Sequence, residues 1–221
     1  TVWRGADGAT AARLPLTVGV VKSLAFSPDS AHLAVGLADA PGFVLLKTGS
    51  FQPVSGPYPT PIKELGYFKG GALWRNTYLR SLEVFGAAGL KTPRGCTINS
   101  CSQGLIGASA SGTALAFWRP DGPVFLLRQE DPEHLEPLVH DPWVSGIALS
   151  SDLRTLALAG AGRVRLYDLP SRALRREVAM AGSQSQRLAF SPDDTLLFVA
   201  ENDGVVRALR ERFEREAEIL V

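Results

Sequence analysis

The chain has 221 residues, 45% of them apolar and 20% charged, with a formal net charge of +1. That length buries a substantial core, as one large domain or two small ones. Near-neutral charge excludes a global drive toward nucleic acid or an anionic membrane, so neither is expected as a partner. The longest stretch without a charged side chain, Gly95 to Trp118, carries Asn99, Gln103 and a run of Ser and Thr, which excludes a membrane-spanning helix.

In chain order, "TVWRGADGATAARLPL" from Thr1 reads as the last two strands of an incomplete unit. "VVKSLAFSPDSAHLAVG" from Val20 follows, and two later stretches align with it: "VSGIALSSDLRTLALAG" from Val144 and "SQRLAFSPDDTLLFVAE" from Ser185. The turn aspartates are Asp29, Asp152 and Asp193; 193 − 152 is 41 and 152 − 29 is 123, three times 41. Two looser units are therefore expected between them. "IKELGYFKGGALWRNTYLRSLEVFG" from Ile62 supplies three apolar runs, and the stretch from Cys96 to Arg128 supplies four, with turn residues between the runs. In the "SPD" turns, Pro28 and Pro192 preset φ, and Asp29 and Asp193 are placed to accept from nearby backbone N–H groups. The C-terminal "RALRERFEREAEILV" balances arginines against glutamates and reads as a final strand pair or a short helix.

The pattern predicts an all-β chain. Four-stranded antiparallel sheets at this period imply a β-propeller of about five complete blades, at 17–59, 60–94, 95–138, 139–182 and 183–221. Residues 1–16 would end a partial N-terminal blade, all within a single domain spanning 1–221. The unpartnered N-terminal strands, and a start on Thr1 rather than Met, lead to the expectation of the C-terminal part of a larger protein.

The unit holding "LVHDPWVSGIALSSDLRTLALAGAGRVRLYDLP" from Leu138 resembles a repeat of the WD family. His140 stands at the family's distance before the first strand, and Tyr167-Asp168 replaces Trp-Asp; "LAFSPD" carries the likeness at Val20 and Ser185. The resemblance implies a network joining that His to a strand hydroxyl, a turn Asp and the Trp. Here the turn is Gly160-Ala161-Gly162, without the Asp, and Thr155 is the remaining hydroxyl. Blade stability then rests on apolar packing. The family's motifs speak for architecture and leave function to individual sites.

No catalytic or cofactor motif is complete. "GASAS" from Gly107 lacks the closing Gly and the following helix of a nucleophile elbow. "GAGRVR" from Gly160 ends on Arg165 and precedes a strand, unlike a dinucleotide fingerprint. Asp131, Glu133, His134, Glu136, His140 and Asp141 gather acidic and imidazole groups, but among prolines and without tight ligand spacing, which fits a solvated connector. Cys96 and Cys101, five apart, would fall on opposite faces of one strand and are expected as free thiols.

The expectation is a non-enzymatic interaction or regulatory module without cofactor, in the cytoplasm. It would present loops to a protein partner or to another domain of its parent chain. The expected contact residues are His140, Asp141, Trp143, Arg163 and Arg165, because a rigid Trp after the Pro142 bend suits an interface anchor and the arginines form a local patch. Trp3 and Trp118 are expected in the core. The alternative is a propeller hydrolase or small-ligand binder of the lactonase type, with acidic ligands around a channel.

Overall fold

The computed structural model describes residues 2–3, 6–12, 20–39, 42–77, 81–85, 98–99, 106–109, 111–118, 122–180, 185–210 and 218–220. Every regular element among them is a β-strand, so the chain is all-β. It divides into two compact units, Thr1–Ser102 and Gln103–Val221. Cys96 and Cys101 lie outside the described residues.

The first unit opens with a hairpin of β1 (Val2–Trp3) and β2 (Thr10–Ala12). One four-stranded antiparallel sheet follows: β3 (Val21–Phe26), β4 (His32–Leu37), β5 (Phe43–Lys47) and β6 (Pro53–Tyr58). A second comprises β7 (Ile62–Tyr67), β8 (Leu73–Thr77), β9 (Ser81–Phe85) and β10 (Ile98–Asn99). The pairing of Ile98 with Leu82 and Asn99 with Ser81 takes this sheet beyond the break expected at 94.

The second unit holds three more such sheets. They are β11 (Ile106–Ala108) to β14 (Asp131–Pro137), through β12 (Ala114–Trp118) and β13 (Val124–Arg128); β15 (Gly146–Leu149) to β18 (Leu174–Ala179), through β16 (Thr155–Gly160) and β17 (Arg163–Asp168); and β19 (Ser185–Phe190), β20 (Leu196–Glu201), β21 (Val206–Arg210) and β22 (Glu218–Leu220). In each sheet the strands lie side by side in chain order, the arrangement of a meander.

One turn recurs in all five sheets, between the first and second strands. The N–H of Ser30, Gly71, Gly112, Leu153 and Asp194 donates to the carbonyl three residues earlier, on Ser27, Phe68, Ser109, Ser150 and Ser191. The differences 68 − 27, 109 − 68, 150 − 109 and 191 − 150 are all 41. The donating residue has positive φ every time, between 56° and 86°. The two loosely matching segments therefore carry the same turn in the same phase, with glycine supplying the left-handed backbone.

In three of these turns a serine and an aspartate do the local work. Ser27 Oγ donates to Asp29 Oδ1 at 2.6 Å, Ser150 Oγ to Asp152 at 2.7 Å and Ser191 Oγ to Asp193 at 2.6 Å. Each carboxylate also accepts a backbone N–H two residues on, from Ala31, Arg154 and Thr195. This is the Asx-turn geometry that favours these residue types at strand ends.

Sheet faces are matched by size. The penultimate residue of the first strand is small in every sheet: Ala25, Gly66, Gly107, Ala148 and Ala189. The residue before it is large: Leu24, Leu65, Ile106, Ile147 and Leu188. Side chains alternate across a strand, so these two rows face opposite ways. Within the first unit, Leu65 packs with Ala34, Phe43 and Leu45 of the preceding sheet, and its Cδ2 lies 3.0 Å from where a Cβ on Gly36 would stand. In the second unit, a Cβ on Gly107 would come within 2.4 Å of the Ile147 carbonyl oxygen, while Leu188 packs with Ala148, Ala157 and Ala159. Large side chains of one sheet thus sit on small ones of the sheet before it, and each fully buried Leu or Ile contributes about 1.5–3 kcal/mol. Polar bonds reinforce the stacking: Ser23 Oγ donates to the Leu65 carbonyl and accepts from its N–H, and the Asp194 carboxylate accepts from the Ser151 and Asp152 N–H groups.

Candidate functional site

The segment Val139–Val144 runs from β14 to β15 and turns at Pro142. Its backbone is held from two sides. The Trp118 indole Nε1–H, on β12, donates to the Asp141 carbonyl at 2.7 Å, and Ser145 N–H donates to the Ala159 carbonyl at 2.7 Å. Below the bend lies Gly160, the last residue of β16. A Cβ there would stand 1.7 Å from the Trp143 carbonyl oxygen, so only glycine allows this approach.

Asp141 is the hub. Its side chain is 4% exposed and its Oδ2 accepts from Arg165 Nη1 at 2.5 Å. Its Oδ1 accepts from the Trp143 N–H at 3.2 Å, closing a local turn around Pro142. Arg165 Nε reaches in the other direction to Glu177 Oε2 at 3.0 Å, and Glu177 also accepts from Arg163. Arg165 and Glu177 are direct cross-strand partners on β17 and β18, which explains the pairing from register alone. The result is a chain Asp141–Arg165–Glu177–Arg163 that runs from a buried end to an exposed one.

The titration of these groups follows the arrangement. Burial works against the charge of Arg165, but the bonds to Glu177 and Asp141 outweigh it and hold the guanidinium above its ordinary range. Bonds from Arg163 and then Arg165 hold the Glu177 carboxyl below its ordinary value. Tyr167 is raised, first by burial and then by the negative charge of Asp141, so it stays a neutral phenol.

The five residues expected at an interface divide clearly. His140 is exposed and makes no hydrogen bond in the network that the WD resemblance implied; the neighbouring Asp141 is the residue built into the fold. The turn that would carry the missing aspartate is a tight glycine-containing one, with Ala161 and Gly162 both at positive φ. Arg163 and Arg165 are neutralised within the chain rather than presented as a bare basic patch. Trp143 is 70% exposed, at the crest of the bend, with exposed Pro142 beside it.

Other candidates resolve into structure. Ser109 of "GASAS" is a turn serine whose Oγ accepts from the Thr113 and Ala114 N–H groups at 3.2 and 3.1 Å. Glu136 pairs with Arg172 at 3.3 Å and lies 3.7 Å from Arg128. Among the described residues, no group of three or more His, Cys, Asp or Glu side chains comes together to hold a metal. The Trp118 ring packs against the core between the third and fourth sheets; the side chain of Trp3 lies outside the described residues.

A second polar cluster had no counterpart in the sequence reading. On β8, Arg75 donates to Glu83 of β9 through Nε and Nη2, at 2.8 and 2.6 Å, with both side chains nearly buried. Its guanidinium stands 5.2 Å from the Phe43 ring centroid and 5.0 Å from that of Phe85. An Arg in the middle of a buried strand, facing a Glu across the next hairpin, is the signal that would have found it. Trp74, which sequence alone left unplaced, is buried here against Gly66.

No protein-family model and no curated protein matches this chain.

Proposed function

We propose that the five sheets are blades of a WD-like β-propeller and that the chain is a non-catalytic module which binds a protein partner at the Trp143 bend. The observation that carries this reading is the pairing of an exposed tryptophan with a rigid support. Trp143 is 70% exposed, yet its backbone is tied to Asp141 and seated on Gly160. An aromatic held in place loses little entropy on binding, which is why such residues dominate interfaces. The internally neutralised arginines leave the patch mixed in charge, which suits a protein surface better than a polyanion. Regulation of a neighbouring domain, and residence in the cytoplasm, go with this reading.

The test is site-directed photo-crosslinking. A benzophenone amino acid at position 143 is expected to capture a discrete partner in cells, whereas the same group at Leu174, another exposed apolar position, is not. Equal capture from both positions, or none from 143, would sink the proposal.

A further inference from the structure

The bend that carries Trp143 is held by side chains that begin on an outer strand. Asp141 Oδ1 accepts from the Trp143 N–H, and Oδ2 accepts from Arg165 Nη1. The first bond orders the backbone of the exposed tryptophan. The second balances a carboxylate that has left water. A buried charge deprived of its partner takes a proton or turns out to solvent, and either weakens its hold on the Trp143 N–H. Tyr167 also interacts with this carboxylate but, as a neutral phenol, does not balance its charge.

Arg165 is aimed in turn by Glu177. The guanidinium is planar, so acceptors at two of its nitrogens fix the whole group. Nε donates to Glu177 Oε2 while Nη1 donates to Asp141. Glu177 stands directly across from Arg165 on β18, the last strand of its sheet, and its Oε1 accepts from Arg163. Exposure falls along the chain, from 32% at Glu177 to 17% at Arg165 and 4% at Asp141. The accessible end therefore lies at Glu177 and the buried end at the bend.

We infer that Arg165 and Glu177 are positioning residues for Trp143, acting through Asp141, and that Glu177 is the point from which this binding site is tightened or loosened. The inference rests on the reading of Trp143 as a contact residue and adds how that contact is regulated. Neutralising Glu177 frees the Arg165 side chain, with its many rotamers, to leave Asp141. The bend then loses the bond that orders Trp143, and the ring has more entropy to lose on binding. Lysine does not replace Arg165, because an ammonium lacks the rigid fork that spans both acceptors.

The experiment uses the full isotope-labelled chain and follows the backbone order parameter of Trp143 by NMR relaxation. A rigid backbone gives about 0.85 and a flexible one falls below about 0.6. Trp143 is expected near the upper value in the unaltered chain, below the lower one in Arg165→Lys, and between them in Glu177→Gln. Glu136→Gln, which breaks an exposed pair with Arg172 outside this chain of charges, is expected to leave it unchanged. The amides of β16 stay rigid throughout, which separates release of the bend from general loosening of the sheet. Photo-capture from position 143 is expected to fall about threefold or more in Glu177→Gln. The inference is overturned by a Trp143 that is flexible in the unaltered chain, or rigid in both Arg165→Lys and Glu177→Gln. Loosening of β16 together with the bend overturns it too, as does capture that Glu177→Gln leaves undiminished. Should the unaltered chain capture nothing, the binding reading fails by itself, and the relaxation data still decide whether Glu177 positions Trp143.

Discussion

Asp141 and Gly160 together decide where Trp143 stands. The carboxylate fixes the bend from inside, and the missing side chain of Gly160 gives the bend room to sit on the sheet. Gly160→Ala is therefore expected to displace the 141–145 segment and to cost about 2–4 kcal/mol, the usual range for a forced backbone shift against a packed strand. Chemical denaturation of the variant measures this; a loss under 0.5 kcal/mol would show that the segment yields freely. Arg75 and Glu83 form a different kind of pair, nearly buried and held among aromatic rings. Removing one partner strands the other charge, so Glu83→Ala is expected to lose about 3–5 kcal/mol, while a double change to apolar residues recovers much of it. Recovery is the informative outcome, because it separates an orphaned charge from a lost contact.

The recurring turn is the element that sets the period. Non-glycine residues in its left-handed position carry a strain of about 1–2 kcal/mol, so Ser30→Gly is expected to stabilise the chain by about 0.5–1 kcal/mol in thermal melts. Destabilisation would show that the Ser30 side chain contributes something the exposed position does not suggest. The turn carboxylates give a pH signature. Asp29 is held below its ordinary value by the Ser27 hydroxyl and then the Ala31 N–H, and Asp193 by Ser191 and then Thr195. A depressed carboxyl contributes stability that is present above 3.8 and lost as pH falls through its folded value, so melting temperature should drop in that acid window. Tyr67 works at the other limit: burial, then the charge of Asp29, pushes it up to about 12. Its stabilisation is intact below 10 and is lost as pH rises from 10 toward 12, and Tyr67→Phe should remove that alkaline loss.

At the scale of the molecule, most of the architecture was legible because a repeat is written in phase. "LAFSPD", "IALSSD" and "LAFSPD" are the same strand and turn, and their spacing calls for two further turns that Phe68–Gly71 and Ser109–Gly112 supply. The loose units hid because their turns use Gly71 and Gly112 where the others use Ser30, Leu153 and Asp194; the backbone shape is common while the side chains differ. The fourth strand of the second sheet, Ile98–Asn99, carries too short a pattern to announce its partner. The candidate site was half legible. Trp143 after Pro142 suggested a presented aromatic, but nothing local showed that Asp141 would turn inward to Arg165 and that His140 would face water. That choice is made by β17, more than twenty residues away, and long-range register is the part a sequence pattern does not spell out.

The measurement that bears most directly on the account is the affinity of the partner captured at position 143 for wild-type chain, Trp143→Ala and Asp141→Asn. The account predicts that Trp143→Ala weakens binding by at least about 30-fold, near 2 kcal/mol, with an unchanged melting temperature. Asp141→Asn should weaken both binding and stability, because it loosens the support as well as the contact. Wild-type affinity in Trp143→Ala would contradict the account and return that tryptophan to the ordinary surface.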